Sequence, residues 1–212
     1  MIKLDKGPKP AILEANETQW TNDYIVTRAS GISNATVESR HRHPEIKSAI
    51  IQESCDKCIY CEEKITSSQF GDVEHILPKS IFPELYATWC NLALACVKCN
   101  NAKLDKTEVV NPFVQNPSDY IFFGGPMLLY DNASPLGFGT VRGLKLNRIE
   151  LLSRRTSAIE ALVDKLDRWH FEIGARRVIL QDEIFEAIKS DKEFAGTLRA
   201  LLLLMKFQPN QL

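Results

Sequence analysis

Residues 58–103 read CIYCEEKITSSQFGDVEHILPKSIFPELYATWCNLALACVKCNNAK, and the reading of this stretch decides the fold. A Cys-x-x-Cys pair stands at its start, Cys58 with Cys61, and another near its end, Cys96 with Cys99. Zinc in structural sites takes four tetrahedral ligands and favours thiolates. A two-residue spacer reverses the chain, so both sulfurs of one pair can reach the same ion. Two such pairs predict a four-cysteine zinc site, although the intervening loop is longer than the usual zinc spacing. Disulfides would need oxidising surroundings, to which nothing in the sequence points. Cys55 offers a competing Cys55-x-x-Cys58 pair, but it is better placed to end a preceding helix. Cys55 and Cys90 are expected to be packing residues or spare thiols.

Between the cysteine pairs lie Glu74, His75 and Asn91, and Asn100 follows the second pair directly. The segment Asp72 to Pro78, DVEHILP, reads as a strand running into a turn. Adjacent strand residues point to opposite faces, so Glu74 and His75 can border one cavity only where the strand ends. A histidine with a near-neutral pKa can take a proton from water. A carboxylate is a hard oxygen ligand suited to Mg2+ or Mn2+, and Asn100 adds a second oxygen beside the knuckle. An isolated histidine would read as an ordinary half-buried side chain; its spacing from the cysteines favours a site.

These residues resemble the HNH endonucleases of the ββα-metal type in their zinc-knuckle form. The matching elements are Cys58-x-x-Cys61-Glu62, Glu74-His75-x-x-Pro78-Lys79-Ser80, Trp89-x-Asn91-Leu92 and Cys96-x-x-Cys99-Asn100-x-x-Lys103. The resemblance implies that His75 is the general base and that Asn91 ties the loop so as to orient it. It also implies that Glu74 and Asn100 bind the one catalytic ion, giving a His-Asn-Asn triad. The implied reaction is phosphodiester hydrolysis, with zinc held by Cys58, Cys61, Cys96 and Cys99 doing no chemistry. Lys79 and Lys103 are candidate phosphate contacts. The competing reading is a zinc-stabilised nucleic-acid- or protein-binding module in which His75 is silent.

The flanks MIKLDKGPKP, HPEIK and LKLNRIEL resemble a narrower group, the compact HNH nucleases of Septu anti-phage defence systems and of some retrons. That likeness implies a controlling partner ATPase of the ABC or AAA-like kind, PtuA, and a nucleic-acid substrate, DNA before RNA. Self-association is left open.

The chain has 212 residues, 44% of them hydrophobic and 25% charged, with a formal net charge of −1. So near-neutral a balance does not announce a nucleic-acid binder, and any grip on a phosphate backbone must come from a local patch or a partner. No signal sequence and no membrane-length apolar run is legible, and the cytoplasm is the expected location. The fold class expected is α+β and predominantly helical: an N-terminal arm and helix over 1–54, the HNH core over 55–110, and a mostly helical region over 111–212. Pro8 and Pro10 keep the opening extended, with Ile2, Leu4, Ile12 and Leu13 able to pack it onto the body. Gln19 to Ala29 shows no clear period. Arg40-His41-Arg42-His43 precedes a helix started by Pro44 and Glu45, with Ile46, Ala49 and Ile50 as its apolar stripe. His41 and His43 read as a polar helix start rather than a metal site.

Further on, Tyr120–Phe123 and Met127–Tyr130 read as two strands around Gly124-Gly125-Pro126. Asn147 and Glu150 resemble a capping box for a helix whose buried face carries Ile149, Leu152, Ile159, Leu162, Leu166 and Trp169. Arg154-Arg155 and Arg176-Arg177 are expected to be solvated rather than substrate-facing. Two more helices are expected near 178–190 and 194–207, with Asp191 capping the last.

Overall fold

The computed structural model describes residues 1–65 and 71–207. The proline-bearing arm, residues 1–10, is extended and strapped to the body. The Leu4 N–H donates to the Pro112 carbonyl at 3.0 Å, and the Lys6 ammonium lies 3.6 Å above the Trp89 ring while pairing with Glu53 at 2.7 Å. Helix α1, Ala11–Ser30, follows at once and takes in the whole stretch from Gln19 to Ala29. Its period is illegible because only Leu13 and Tyr24 of its 20 residues are buried, too few to write an apolar stripe.

Helix α2, Ala35–Ser39, is capped by the Asn34 side chain, which accepts the Val37 N–H at 3.2 Å. A single 3-10 turn, Arg40–Arg42, leads to α3, Pro44–Glu53. Proline at the first helical position fits because its missing N–H would have no partner there, and the His43 ring accepts the Glu45 N–H at 3.3 Å. Ile46 and Ile50 are fully buried.

Strand β1, Asp72–His75, pairs antiparallel with β2, Leu92–Ala95, setting Glu74 opposite Ala93 and His75 opposite Leu92. Helix α4, Val97–Lys103, completes a ββα unit. Because β2 is buried along its whole length, its alternate residues serve two cores. Ala93 and Ala95 pack with the cysteine knuckle, the later hairpin and the start of the long helix. Leu92 and Leu94 pack with Leu13, Tyr24, Ile46 and Ile50 of the N-terminal helices.

The hairpin is β3, Ile121–Gly124, with β4, Met127–Tyr130. Gly125 supplies the positive φ of 64° at the first loop position, the conformation that two-residue hairpin turns of the mirror-image types demand. After α5, Pro135–Phe138, and a π-type turn over Gly139–Gly143, three helices close the chain. These are α6, Ile149–Phe171; α7, Gly174–Ala187; and α8, Ala195–Leu204. Leu162, Leu166, Ile184, Leu198 and Leu202 form their shared core. No described helix is long and apolar enough to cross a membrane.

The structure corrects several local expectations. Asn147 does not cap α6; its amide donates to the Leu128 carbonyl at 2.7 Å and its oxygen accepts the Leu128 N–H at 2.9 Å, so it extends the hairpin edge instead. Ile149 is exposed rather than on the buried face of α6, and Asp191 makes no cap for α8, whose preceding residue is Phe194. Arg155 is buried and donates to the Leu146 and Pro126 carbonyls, fastening α6 to the hairpin. Arg154 pairs with Glu63 and Glu193.

Candidate active site and metal knuckle

The four knuckle sulfurs all lie within 4.8 Å of one another and are buried. Cys61 and Cys96 are 3.8 Å apart, which is the edge of a tetrahedron with zinc–sulfur bonds of about 2.3 Å. The geometry therefore fits a four-thiolate metal site. Burial pushes the Cys58 thiol well above its ordinary range, so an enclosed cation is what would stabilise the thiolate forms. Arg148, just before α6, places a guanidinium nitrogen 3.6 Å from the Cys99 sulfur and pairs with Glu63 at 3.2 Å. That positive charge would offset part of the net negative charge of four thiolates around a divalent ion. Cys55 stands beyond the end of α3 and Cys90 is exposed; neither joins the cluster.

Beside the knuckle, at the end of β1, opens a cleft of about 350 Å3. Glu74, His75, Lys79, Asn100 and Lys103 all line it. Asn91 does not; its side chain accepts the Leu77 N–H at 2.7 Å and donates to the Leu77 carbonyl at 2.9 Å. It thereby pins the loop that leaves β1 after His75.

His75 is buried, and its Nε2 lies 2.8 Å from the Tyr86 carbonyl. A carbonyl can only accept, so Nε2 carries the hydrogen and Nδ1 keeps its lone pair. Burial, opposed by the Tyr86 bond and aided by Lys79 and Lys103, holds the imidazole pKa down to about 3. Burial thus keeps the ring neutral across the physiological range, with Nδ1 left as an unprotonated acceptor. His41 packs against it with ring centroids 4.7 Å apart. The Tyr86 hydroxyl donates to the Val37 carbonyl at 2.5 Å and receives the His41 N–H at 3.3 Å. With that hydrogen committed, the 3.3 Å contact from His41 Nδ1 makes Nδ1 the donor.

Glu74 is buried, which pushes its carboxyl up, while Lys103 at 2.7 Å and Tyr60 at 3.4 Å work against that. Lys103 also donates to the His75 carbonyl at 2.8 Å and is 1% exposed. It lines the cleft, and its ammonium serves two acceptors, the Glu74 carboxylate and the His75 carbonyl. Between these two acceptors Lys103 is placed to hold the Glu74 carboxylate at the end of β1. The Asn100 amide nitrogen donates to Asp72 at 2.8 Å, which leaves Oδ1 as the free oxygen. Glu74 carboxylate and Asn100 Oδ1 are hard oxygen donors of the kind magnesium and manganese take.

Reading the sequence missed three contributors. Asp72 sits two residues before Glu74, hence on the same strand face, and that period was the available signal. Tyr86 and His41 gave no comparable signal, because only packing brings them to His75.

A family model for HNH endonuclease matches residues 58–106. The chain is 28% identical over 188 residues to Septu protein PtuB of Bacillus thuringiensis, covering 82% of this chain and 69% of that protein. It is also 21% identical to Septu protein PtuB of Bacillus mycoides (strain KBAB4), covering 98% of this chain and 83% of the relative. The matched segment holds all four cysteines, the β1–β2 sheet, His75 and α4, so residues 58–106 of this chain form an HNH endonuclease domain.

Proposed function

We propose that this protein is a metal-dependent endonuclease that hydrolyses phosphodiester bonds of nucleic acid, DNA before RNA. The observation that carries the reading is the His75 ring. Its Nε2–H is committed to the Tyr86 carbonyl, so a bare Nδ1 is left in a cleft shared with Glu74 and Asn100. In this reading Nδ1 takes a proton from the attacking water as its oxygen bonds to phosphorus. The bond from phosphorus to the leaving 3′ oxygen then breaks. The Tyr86 carbonyl steadies the imidazolium so formed. Glu74 and Asn100 hold one divalent ion, Mg2+ or Mn2+, which supplies Lewis-acid stabilisation of charge at the phosphate and the leaving oxygen. Lys103 keeps Glu74 aimed, Asp72 keeps the Asn100 amide turned, and Asn91 keeps the loop after His75 in place. Cys58, Cys61, Cys96 and Cys99 hold Zn2+ with no open coordination position.

The likeness to Septu proteins over most of the chain supports placing this activity in anti-phage defence. It also supports control by an ATPase partner of the ABC or AAA-like kind. The test is cleavage of labelled DNA and RNA with Mg2+ or Mn2+, with and without that ATPase. His75→Ala is expected to lower the rate by about 10²–10⁴-fold, the range of a lost general base, while cooperative unfolding and metal content at the knuckle are retained. Equal behaviour of the two proteins, neither nicking any substrate, would establish the silent binding module instead.

A further inference from the structure

One wall of the cleft is not built by the HNH domain. Tyr24 and Arg28 reach it from α1, and His41 and Arg42 from the 3-10 turn before α3. We propose that Arg28, Arg42 and Lys79 form a phosphate subsite that grips the nucleic-acid backbone beside the bond being cut, an inference that rests on the nuclease reading above.

The placement of this wall is not incidental. Of the two buried residues of α1, Tyr24 is the one that stacks on Tyr86, with ring centroids 4.1 Å apart and planes 8° from parallel. Tyr86 in turn holds His75 through its carbonyl and His41 through its hydroxyl. The N-terminal helices are therefore docked directly on the backbone that positions the base. Lys79 lies over both stacked rings, 5.6 Å from Tyr24 and 5.5 Å from Tyr86. The stack thus fixes where the three cations meet.

Those cations lack the partners that neighbouring charges have. Among the described residues Arg28, Arg42 and Lys79 make no ion pair, whereas Arg40, two residues before Arg42, is paired with Asp23 at 2.5 Å. Two carboxylates stand at the rim, Glu38 and Asp105, and Glu38 offsets part of the charge of Lys79 and Arg28. Glu38 accepts from Ser33 at 2.9 Å and from the Asn34 N–H at 3.1 Å, and Asp105 accepts from Ser80. Deeper in, the Lys103 and Glu74 charges cancel each other. Burial, and then the nearby Arg42, pull the Lys79 ammonium down to about 8, with Glu38 opposing. Three cations held at one rim repel one another, and an anion between them relieves that repulsion. The chain as a whole carries a net charge of −1, so attraction to a polyanion has to be local. Guanidinium groups suit phosphate because their donors engage two oxygens at once.

The experiment uses short fluorescein-labelled DNA duplex, single-stranded DNA and RNA. Affinity is followed by anisotropy against salt in the full-length His75→Ala protein, where nothing is cut. Adding Arg28→Ala and Arg42→Ala is expected to weaken binding at least about tenfold at low salt. It should also shrink the slope of log affinity against log salt by about one for each arginine removed. Arg42→Lys should recover part of both effects. Both arginines are exposed, so melting temperatures should not move. Unchanged affinity and slope in the double variant, while the wild-type chain still cleaves, would overturn the subsite and leave the nuclease reading standing. A wild-type chain that neither binds nor cuts any of the three probes, alone or with the ATPase, would remove the nuclease reading and the subsite with it. Inorganic phosphate is the control: if it competes at concentrations comparable to the nucleic acid's own phosphate, the site holds free phosphate rather than a backbone, and the proposal fails.

Discussion

The cysteine knuckle and the histidine cleft share residues 58–103, yet they are assembled in opposite ways. The knuckle is made by two local turns, each bringing a pair of sulfurs together, joined by the β1–β2 pairing. Little beyond the spacing of four residues is needed. The cleft draws on α1, on the turn before α3, on β1, on the loop carrying Tyr86 and on α4. Its chemistry resides in contacts between segments far apart in sequence, such as Tyr24 on Tyr86 and His41 on His75. A site fixed by ligand geometry should fail all at once, whereas one fixed by packing should fail by degrees.

The largest effect should therefore come from the knuckle. Cys61→Ser or Cys96→Ser removes a ligand from a site whose metal-coupled folding energy is about 10–16 kcal/mol in small zinc domains, comparable to the whole stability of a folded protein. The expected outcome is loss of the bound metal, measured by elemental analysis, together with loss of cooperative unfolding. Retention of one metal ion per chain in either variant would mean that the four sulfurs do not share it.

Next in size is the buried pair beneath the cleft. Lys103→Met leaves the Glu74 carboxylate buried without its cation and should cost about 3–5 kcal/mol in urea unfolding, the range for breaking a buried pair. If Lys103 instead serves the substrate, the variant will keep its stability and lose affinity alone.

The buried imidazoles give a smaller, graded effect. His75 and His41 are held by burial at about 3 and about 2, below the ordinary value of 6.5. The unfolded chain therefore takes up protons that the folded chain refuses. Their contribution is intact above pH 6.5 and is lost as pH falls below it towards the folded values. Between pH 6.5 and 5 each imidazole should remove about 2 kcal/mol. A stability that stays flat over this window in urea titrations, or one that rises, would contradict the burial of both rings.

Smallest of all is Cys90→Ser. Cys90 is exposed and outside the cluster, so stability should stay within about 0.5 kcal/mol and metal content should not change.

Legibility in the sequence follows the same division. The apolar stripe of α3, the hairpin around Gly125-Pro126 and the knuckle all depend on residues a few positions apart, and each stands where the pattern puts it. The long helix α6 is also legible, but its start is not. Asn147 has the composition of a cap, yet it is spent on the backbone of Leu128, a partner 19 residues away. Lys103 and Arg155 look like surface cations, and both are buried because distant acceptors await them. Helix α1 was illegible for the converse reason, since a helix that buries two side chains has almost no pattern to show.

What the sequence alone determined is the ligand set of the knuckle, the ββα order of the core and the residue types offered to the cleft. Each of these is written in short spacings, and local geometry translates short spacings directly into structure. Only the tertiary structure decided that His75 keeps Nδ1 bare, that Lys103 faces Glu74, and that the N-terminal helices supply one wall of the cleft. Those outcomes depend on which buried donors and rings find partners across the molecule, and no spacing along the chain encodes that matching.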